Sequence, residues 1–224
     1  MRVTLKHKVI PIYILFIAGG IWHLLDWFQS WMRLLAAPLM IAVALVMIHE
    51  AMVSCKSARR RFLFWSFLTF CAGWGIEYAG IRFGWPFGEY EYSSILQPQL
   101  LGVPVAIGFA WVSIYLASYS LVRFLFEKRF TFRLQWIVFS LLASSAMVIF
   151  DAVMEPAAVH LNYWTWQTPV VPLSNYIAWF CMGFIISLLW RLLALERCTC
   201  PLFVHVYAVQ MLYFVLVLLD SWVF

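Results

Sequence analysis

Residues 34–54 read LLAAPLMIAVALVMIHEAMVS, an apolar stretch in which Glu50 is the one charged side chain. A bilayer core is crossed by about 20 such residues in helical form. Working outward, six more stretches of this kind lie near 9–28, 62–81, 101–125, 132–155, 173–195 and 201–222. The whole chain is 65% hydrophobic and 11% charged, which excludes an ordinary soluble domain. The expectation is an all-α integral membrane protein, one bundle of about seven transmembrane helices filling residues 1–224 as a single domain. The first span has a basic start but no small-residue cleavage site; Trp22, Asp26, Trp27 and Trp31 follow it, so it reads as an uncleaved helix.

The basic residues orient the bundle through the positive-inside bias. Of 15, thirteen fall to one side: Arg2, Lys6, Lys8, Lys56, Arg59, Arg60, Arg61, Arg123, Lys128, Arg129, Arg133, Arg191 and Arg197. Arg33 and Arg82 remain opposite. The N-terminus is therefore expected in the cytoplasm and the C-terminus outside, in an inner (cytoplasmic) membrane. A net charge of +5 is explained by loops facing anionic lipid and calls for no nucleic acid. The acids lean outward: Asp26, Glu77, Glu89, Glu91, Asp151, Glu155 and Asp220, against Glu50, Glu127 and Glu196 within. Acidic loop residues weigh little in topology, so this asymmetry points to a site near the outer face. Asp220 reads as a solvated helix end.

Five cysteines make no disulfide framework, and Cys198 and Cys200 fall on the reducing side, where no structural bridge is expected. Five histidines form no H-x-x-H or H-x-x-x-H pair, so no clustered metal site is expected.

Two segments depart from the apolar pattern in the same way. The first runs from Glu77 through Gly84, Pro86, Gly88, Tyr90 and Tyr92 to Val103-Pro104 and Ala110-Trp111. The second runs from Asp151 and Glu155-Pro156 through Trp164 and Trp166 to Val171-Pro172 and Ala178-Trp179. Each is helix out, structured outer loop, helix in, which suggests parallel internal repeats over 62–125 and 132–195. Pro156 cannot continue the hydrogen-bond ladder, so the fifth helix is expected to end near Glu155.

Carboxyls in hydrocarbon are costly and mark function. Asp151 and Glu155, four apart, share one helix face. Two such groups in a low-dielectric setting cannot easily both ionise, so one keeps its proton and the pair can serve as general acid and base. Neutralisation by Arg82 or capping of a loop amide is the structural alternative. Glu77 stands among Gly73, Gly75 and Gly80, small residues that let helices approach closely. Asp26, at the outer end of the first helix, is a candidate for the same site or a solvated helix end. Asn175 could orient water or cap the sixth helix.

Thirteen Trp, ten Tyr and twenty Phe form interfacial belts in any membrane protein, and Trp22, Trp27, Trp31 and Trp85 are read that way. Tyr90, Tyr92, Trp111, Trp164, Trp166 and Trp179 differ because they recur at matching places around the acids. An aromatic face stabilises a positive centre by up to about 2 kcal/mol when desolvated. Acid plus aromatic walls suits protonation of an alkene to a tertiary carbocation.

At these residues the chain resembles the membrane-bound carotenoid biosynthesis protein family, of carotenoid-hydratase type. The matching pieces are Glu77-x-x-Gly80, Gly84-x-Pro86-Phe87-Gly88-x-Tyr90-x-Tyr92, Gly102-Val-Pro104 with Trp111, Asp151-x-x-x-Glu155-Pro156-x-Ala158, Trp164-x-Trp166, and Pro172-x-x-Asn175 with Trp179. The resemblance implies addition of water across the terminal C1=C2 bond of an acyclic carotenoid end group, with a long acyclic carotenoid or related isoprenoid as substrate and no cofactor. On that reading Glu77, Asp151 and Glu155 are catalytic, and Tyr90, Tyr92, Trp111, Trp164, Trp166, Asn175, Trp179 and Asp26 bind substrate. Two rivals stay open: a non-catalytic isoprenoid- or carotenoid-binding membrane protein, and a proton-coupled lipid transporter, which would place its acids nearer mid-membrane. A retinal receptor is disfavoured because Lys6, Lys8, Lys56 and Lys128 all lie in or beside inner segments.

Overall fold

A computed structural model describes residues 5–129 and 135–223, with side chains to residue 219. The orientation reading at Arg2 and Arg133 and the reading of the Asp220 side chain lie outside the described residues.

Seven helices follow one another: α1 (Leu5–Leu24), α2 (Gln29–Ser54), α3 (Arg59–Phe83), α4 (Val105–Phe126), α5 (Gln135–His160), α6 (Leu173–Leu192) and α7 (Pro201–Val223). Six are long and apolar enough to cross a membrane. The remaining one, α3, is as long but more polar, because it carries Arg59–Arg61, Glu77 and Arg82. The chain is a membrane protein built of helices, since only intra-segment hydrogen bonding satisfies the backbone in hydrocarbon.

All seven expected stretches form helices, with shifted ends, and six of them have the length and apolarity of a span. Helix α4 starts at Val105 rather than 101, because the preceding residues pair as strands. The expected stop at Glu155 is corrected: α5 runs through Pro156 to His160. Proline removes one ladder donor only, and the turn beyond it buries Ala157 and Ala158 completely against neighbours.

Helix α4 is the hub. It packs on α2, α3, α5 and α7, while α1 packs chiefly on α7 and α6 on α5. Its core is dense with Trp111, Tyr115, Leu116 and Ala117, all essentially inaccessible. The C-terminal ends of α3 and α5 and the N-terminal ends of α4 and α6 meet at one end of the bundle, as connectivity requires. There the two long loops form short antiparallel ribbons. Strand β1 (Tyr90–Tyr92) pairs with β4 (Trp164–Trp166), and β2 (Gln99–Leu100) with β3 (Val103–Pro104). The all-α expectation thus gains these two ribbons. The β1–β4 pair ties the first loop to the second, extended by Ser93 N–H donating to the Tyr163 carbonyl and Gln167 N–H to that of Glu89.

The opposite end holds the described ion pairs: Lys8 with Glu50 at 2.6 Å, Arg123 with Glu127, and Arg191 with Glu196. It also holds a disulfide that the sequence reading did not expect. Cys55 and Cys198, 143 residues apart, are joined with their Cα atoms 4.9 Å apart. The α2–α3 and α6–α7 connections are brought together only by packing, so nothing in the local cysteine spacing announced the pair. Cys71, Cys181 and Cys200 are free.

Candidate active site

Strand periodicity builds the site's roof. Alternate residues of a strand face one way, so Tyr90 and Tyr92 point to one side and Glu91 to solvent, and Trp164 and Trp166 do the same across Thr165. In the antiparallel register Tyr90 faces Trp166 and Tyr92 faces Trp164. Their ring centroids lie 4.9 and 5.7 Å apart, so four aromatic rings form one inward-facing plate.

Beneath the plate, each helix acid is met by the aromatic pair of its own loop. Glu77 Oε2 accepts the Tyr90 hydroxyl at 2.5 Å and the Tyr92 hydroxyl at 2.8 Å. Its Oε1 accepts the Trp111 indole N–H from α4 at 3.1 Å. Glu155 Oε2 accepts both the Trp164 and Trp166 indoles, at 3.0 and 2.9 Å. Its other oxygen, Oε1, has no hydrogen-bond partner among the described residues. Both acids are buried, at 6% and 4% exposure. None of the described ion pairs includes them, and Arg82 is exposed, so they are held by neutral donors rather than by neutralising cations.

The tyrosines stay donors. Burial, then the Glu77 carboxylate beside them, holds the Tyr90 and Tyr92 hydroxyls well above the ordinary phenol range.

Close approach makes this possible. A Cβ at Gly80 would sit 2.8 Å from the Phe87 ring and 2.9 Å from the Tyr90 hydroxyl, and one at Gly73 would lie 2.4 Å from the Trp111 ring. Gly75, grouped with them from the sequence, has nothing within 4 Å and plays no such part.

Trp111 and Trp179, the matching residues of α4 and α6, stack at 4.2 Å and 22°. Together with Phe87, Asn175, Glu77, Glu155 and the aromatic plate they enclose a cavity of about 50 Å³. A water needs roughly 10–15 Å³ of such space, so a few waters or the tip of a chain fit, and a long ligand does not.

Asp151 lies outside the wall of this cavity. It is wholly buried behind Asn175, whose Nδ2 donates to Asp151 Oδ2 at 2.7 Å, while Oδ1 has no partner. Asn175 is thus no helix cap; it is a cavity-wall residue held by an acid one layer back. Asp26 is not brought to the other candidates either. It occupies the α1–α2 turn at φ 53°, a conformation that Asp tolerates, and lines a separate polar cavity of about 210 Å³ with His23, Gln29, Arg33 and His160. The structure also adds wall residues that sequence reasoning missed: Met40, Ile107, Ala110, Ile114 and Met154. In so apolar a chain nothing distinguishes them from ordinary core.

A family model described as carotenoid biosynthesis protein matches residues 34–223. The chain is 37% identical over 124 residues to the bisanhydrobacterioruberin hydratase of Haloarcula japonica. That match covers 52% of this chain and 40% of the relative, so the two share less than half the relative's length. No solved structure matches.

Proposed function

This chain belongs to the carotenoid biosynthesis protein family, and from that premise we propose that it is a hydratase adding water across the terminal C1=C2 bond of an acyclic carotenoid end group. The observation that carries the reading is two buried carboxyls on the wall of one small aromatic cavity, Glu77 held by two phenol O–H groups and an indole N–H, Glu155 by two indole N–H groups on one oxygen. The name of the Haloarcula relative points to the same reaction class.

The chemistry follows from the arrangement. Glu155 has both of its donors on one oxygen and the other oxygen bare, so Glu155 is the acid: it delivers a proton to C2, and the π electrons form the new C–H bond. The tertiary cation left at C1 rests against the rings of Tyr90, Trp166, Trp111 and Trp179, which stabilise it by up to about 2 kcal/mol each when desolvated. Glu77, with donors on both oxygens, is the base. It takes a proton from the water that adds to C1, giving the tertiary alcohol, and the proton returns to Glu155 through water in the cavity. One water is consumed, no electrons are transferred, and no cofactor enters. Asp151 acts one layer back as a positioning residue, turning Asn175 so that its carbonyl oxygen is available to the attacking water.

We take residues 62–125 and 132–195 as parallel repeats within one domain and the site end as the outer side, with the N-terminus in the cytoplasm. The pairing of each acid with its own loop supports the repeat, and the distribution of basic residues supports the orientation. Pigment analysis of a lycopene-accumulating host expressing the chain tests the function. Hydroxylated product that is lost in both Glu155→Gln and Glu77→Gln is expected; unchanged product from either variant overturns the assignment of that residue, and no product from the intact protein overturns the function.

A further inference from the structure

A second cavity of about 170 Å³ lies beside the first, between α1, α2, α4, α5 and α7. Its lining is almost wholly aliphatic and aromatic. Five residues border both cavities: Met40, Ala110, Ile114, Met154 and Trp164. The wall between them therefore includes two methionines, the most adaptable of apolar side chains. At its other side the cavity reaches the surface. Leu15, midway along α1, and Leu35, in the second turn of α2, line it and are also 42% and 43% exposed on the outer side of the bundle. Helix α1 packs chiefly on α7 and α2 on α4, so the seam between α1 and α2 is the loosely joined one.

From this we infer that the α1–α2 seam is a lateral portal through which a linear apolar chain enters from the lipid, its body resting in the larger cavity and its tip passing between Met40 and Met154 to the acids. The inference rests on the proposed function for the identity of the chain, an acyclic polyene. Its physical basis is independent of that. The acid cavity is too small for more than a tip, a polyene has no route through water, and an apolar space adjoining that cavity lies between helices and borders the outward-facing Leu15 and Leu35. Ala36 and Gly19, two of the smallest residues in the lining, face the passage.

The test uses the full chain in lipid nanodiscs, with binding of a linear polyene such as lycopene read by quenching of tryptophan emission. Leu35→Cys is made with Cys71→Ser, Cys181→Ser and Cys200→Ser, folded, and then alkylated with a bulky maleimide. Ala36→Phe narrows the passage genetically. Both are expected to weaken polyene binding by about tenfold or more, while a short acyclic terpene bearing the same end group is hydrated as before. Phe64→Cys, on the exposed face of α3, carries the same adduct without effect. Equal loss for long and short ligands, equal loss from the Phe64 adduct, or no loss at all overturns the portal. Binding is also read in Glu155→Gln, which needs no turnover. Polyene bound and blocked at Leu35 with no water added by the intact protein would sink the hydratase reading and leave the portal standing. Hydration undisturbed by the Leu35 adduct would do the reverse.

Discussion

Asn175 Nδ2 donates to Asp151 Oδ2 at 2.7 Å, and no counterpart of this pair exists in the other half of the site. Four residues before Glu77 and Trp111 stand Gly73 and Ile107, where the second segment places Asp151 and Asn175 before Glu155 and Trp179. The two halves therefore share their acids and aromatics but differ in polarity behind the wall. An acceptor is all that Asn175 needs from residue 151. Asp151→Asn keeps an acceptor and is expected to hold activity within about tenfold, whereas Asp151→Leu strands a buried amide at a cost of about 1–3 kcal/mol and loses most turnover. Product formation and thermal stability of the two variants decide it. Loss in Asp151→Asn as deep as in Glu155→Gln would make Asp151 the proton donor instead.

Glu77 and Glu155 differ in their free oxygens, and their amides should differ in kind. Positioned acid–base groups contribute roughly 10²–10⁴-fold to rate. Both Glu155→Gln and Glu77→Gln are expected to fall by that order with the folded protein retained in the membrane. Glu77→Gln should also strand either the Tyr90 and Tyr92 hydroxyls or the Trp111 indole, because the amide has one acceptor oxygen where the carboxylate offers two. Measured in detergent, its melting temperature should drop further than that of Glu155→Gln.

Two glycines of one helix give an internal control. Gly80→Ala drives a methyl into the Phe87 ring and the Tyr90 hydroxyl, displacing the donor closest to Glu77. Gly75→Ala meets open space. Hydration should collapse in the first variant and persist in the second, and Gly75→Ala should gain a little helix stability, by about 1 kcal/mol or less. Equal activities would remove Tyr90 from the mechanism.

Alkaline stability carries the sign of the buried phenols. Burial pushes Tyr163 up to about 12, and burial together with Glu77 raises Tyr90 and Tyr92. An unfolded tyrosine titrates near about 10, so above that the unfolded state sheds protons that the folded state retains. The stability these groups contribute is complete below about pH 10 and is lost as pH rises through the folded-state values. Melting temperature should be flat through neutral pH and fall above about pH 10. Tyr163→Phe should make that fall shallower.

Much of the site is legible along the chain because it is written twice. Glu77 and Glu155 stand out as carboxyls in apolar helices, and Tyr90-x-Tyr92 and Trp164-x-Trp166 stand out as the same two-residue spacing after each. That spacing places both rings of a pair on one side of an extended segment, which is where they are found. Legibility fails where one side chain's role depends on distant chain. Asp151 and Glu155 look equivalent on a shared helix face, yet one faces the cavity and the other faces Asn175. Asp26 looks like a fourth acid at the right depth, but the α1–α2 turn that holds it leads to a different cavity.

Hydropathy and length alone determine that this chain crosses a membrane as helices, since each apolar stretch must satisfy its own backbone wherever it packs. The spacing of residues within each loop likewise determines which aromatics share a side. Tertiary structure alone decides that β1 pairs with β4, that α5 continues through Pro156, that Cys55 meets Cys198, and that an apolar cavity lies among α1, α2, α4, α5 and α7. The strand pairing and the disulfide join surfaces 72 to 143 residues apart along the chain, and contact at that range is set by packing, which no local pattern encodes.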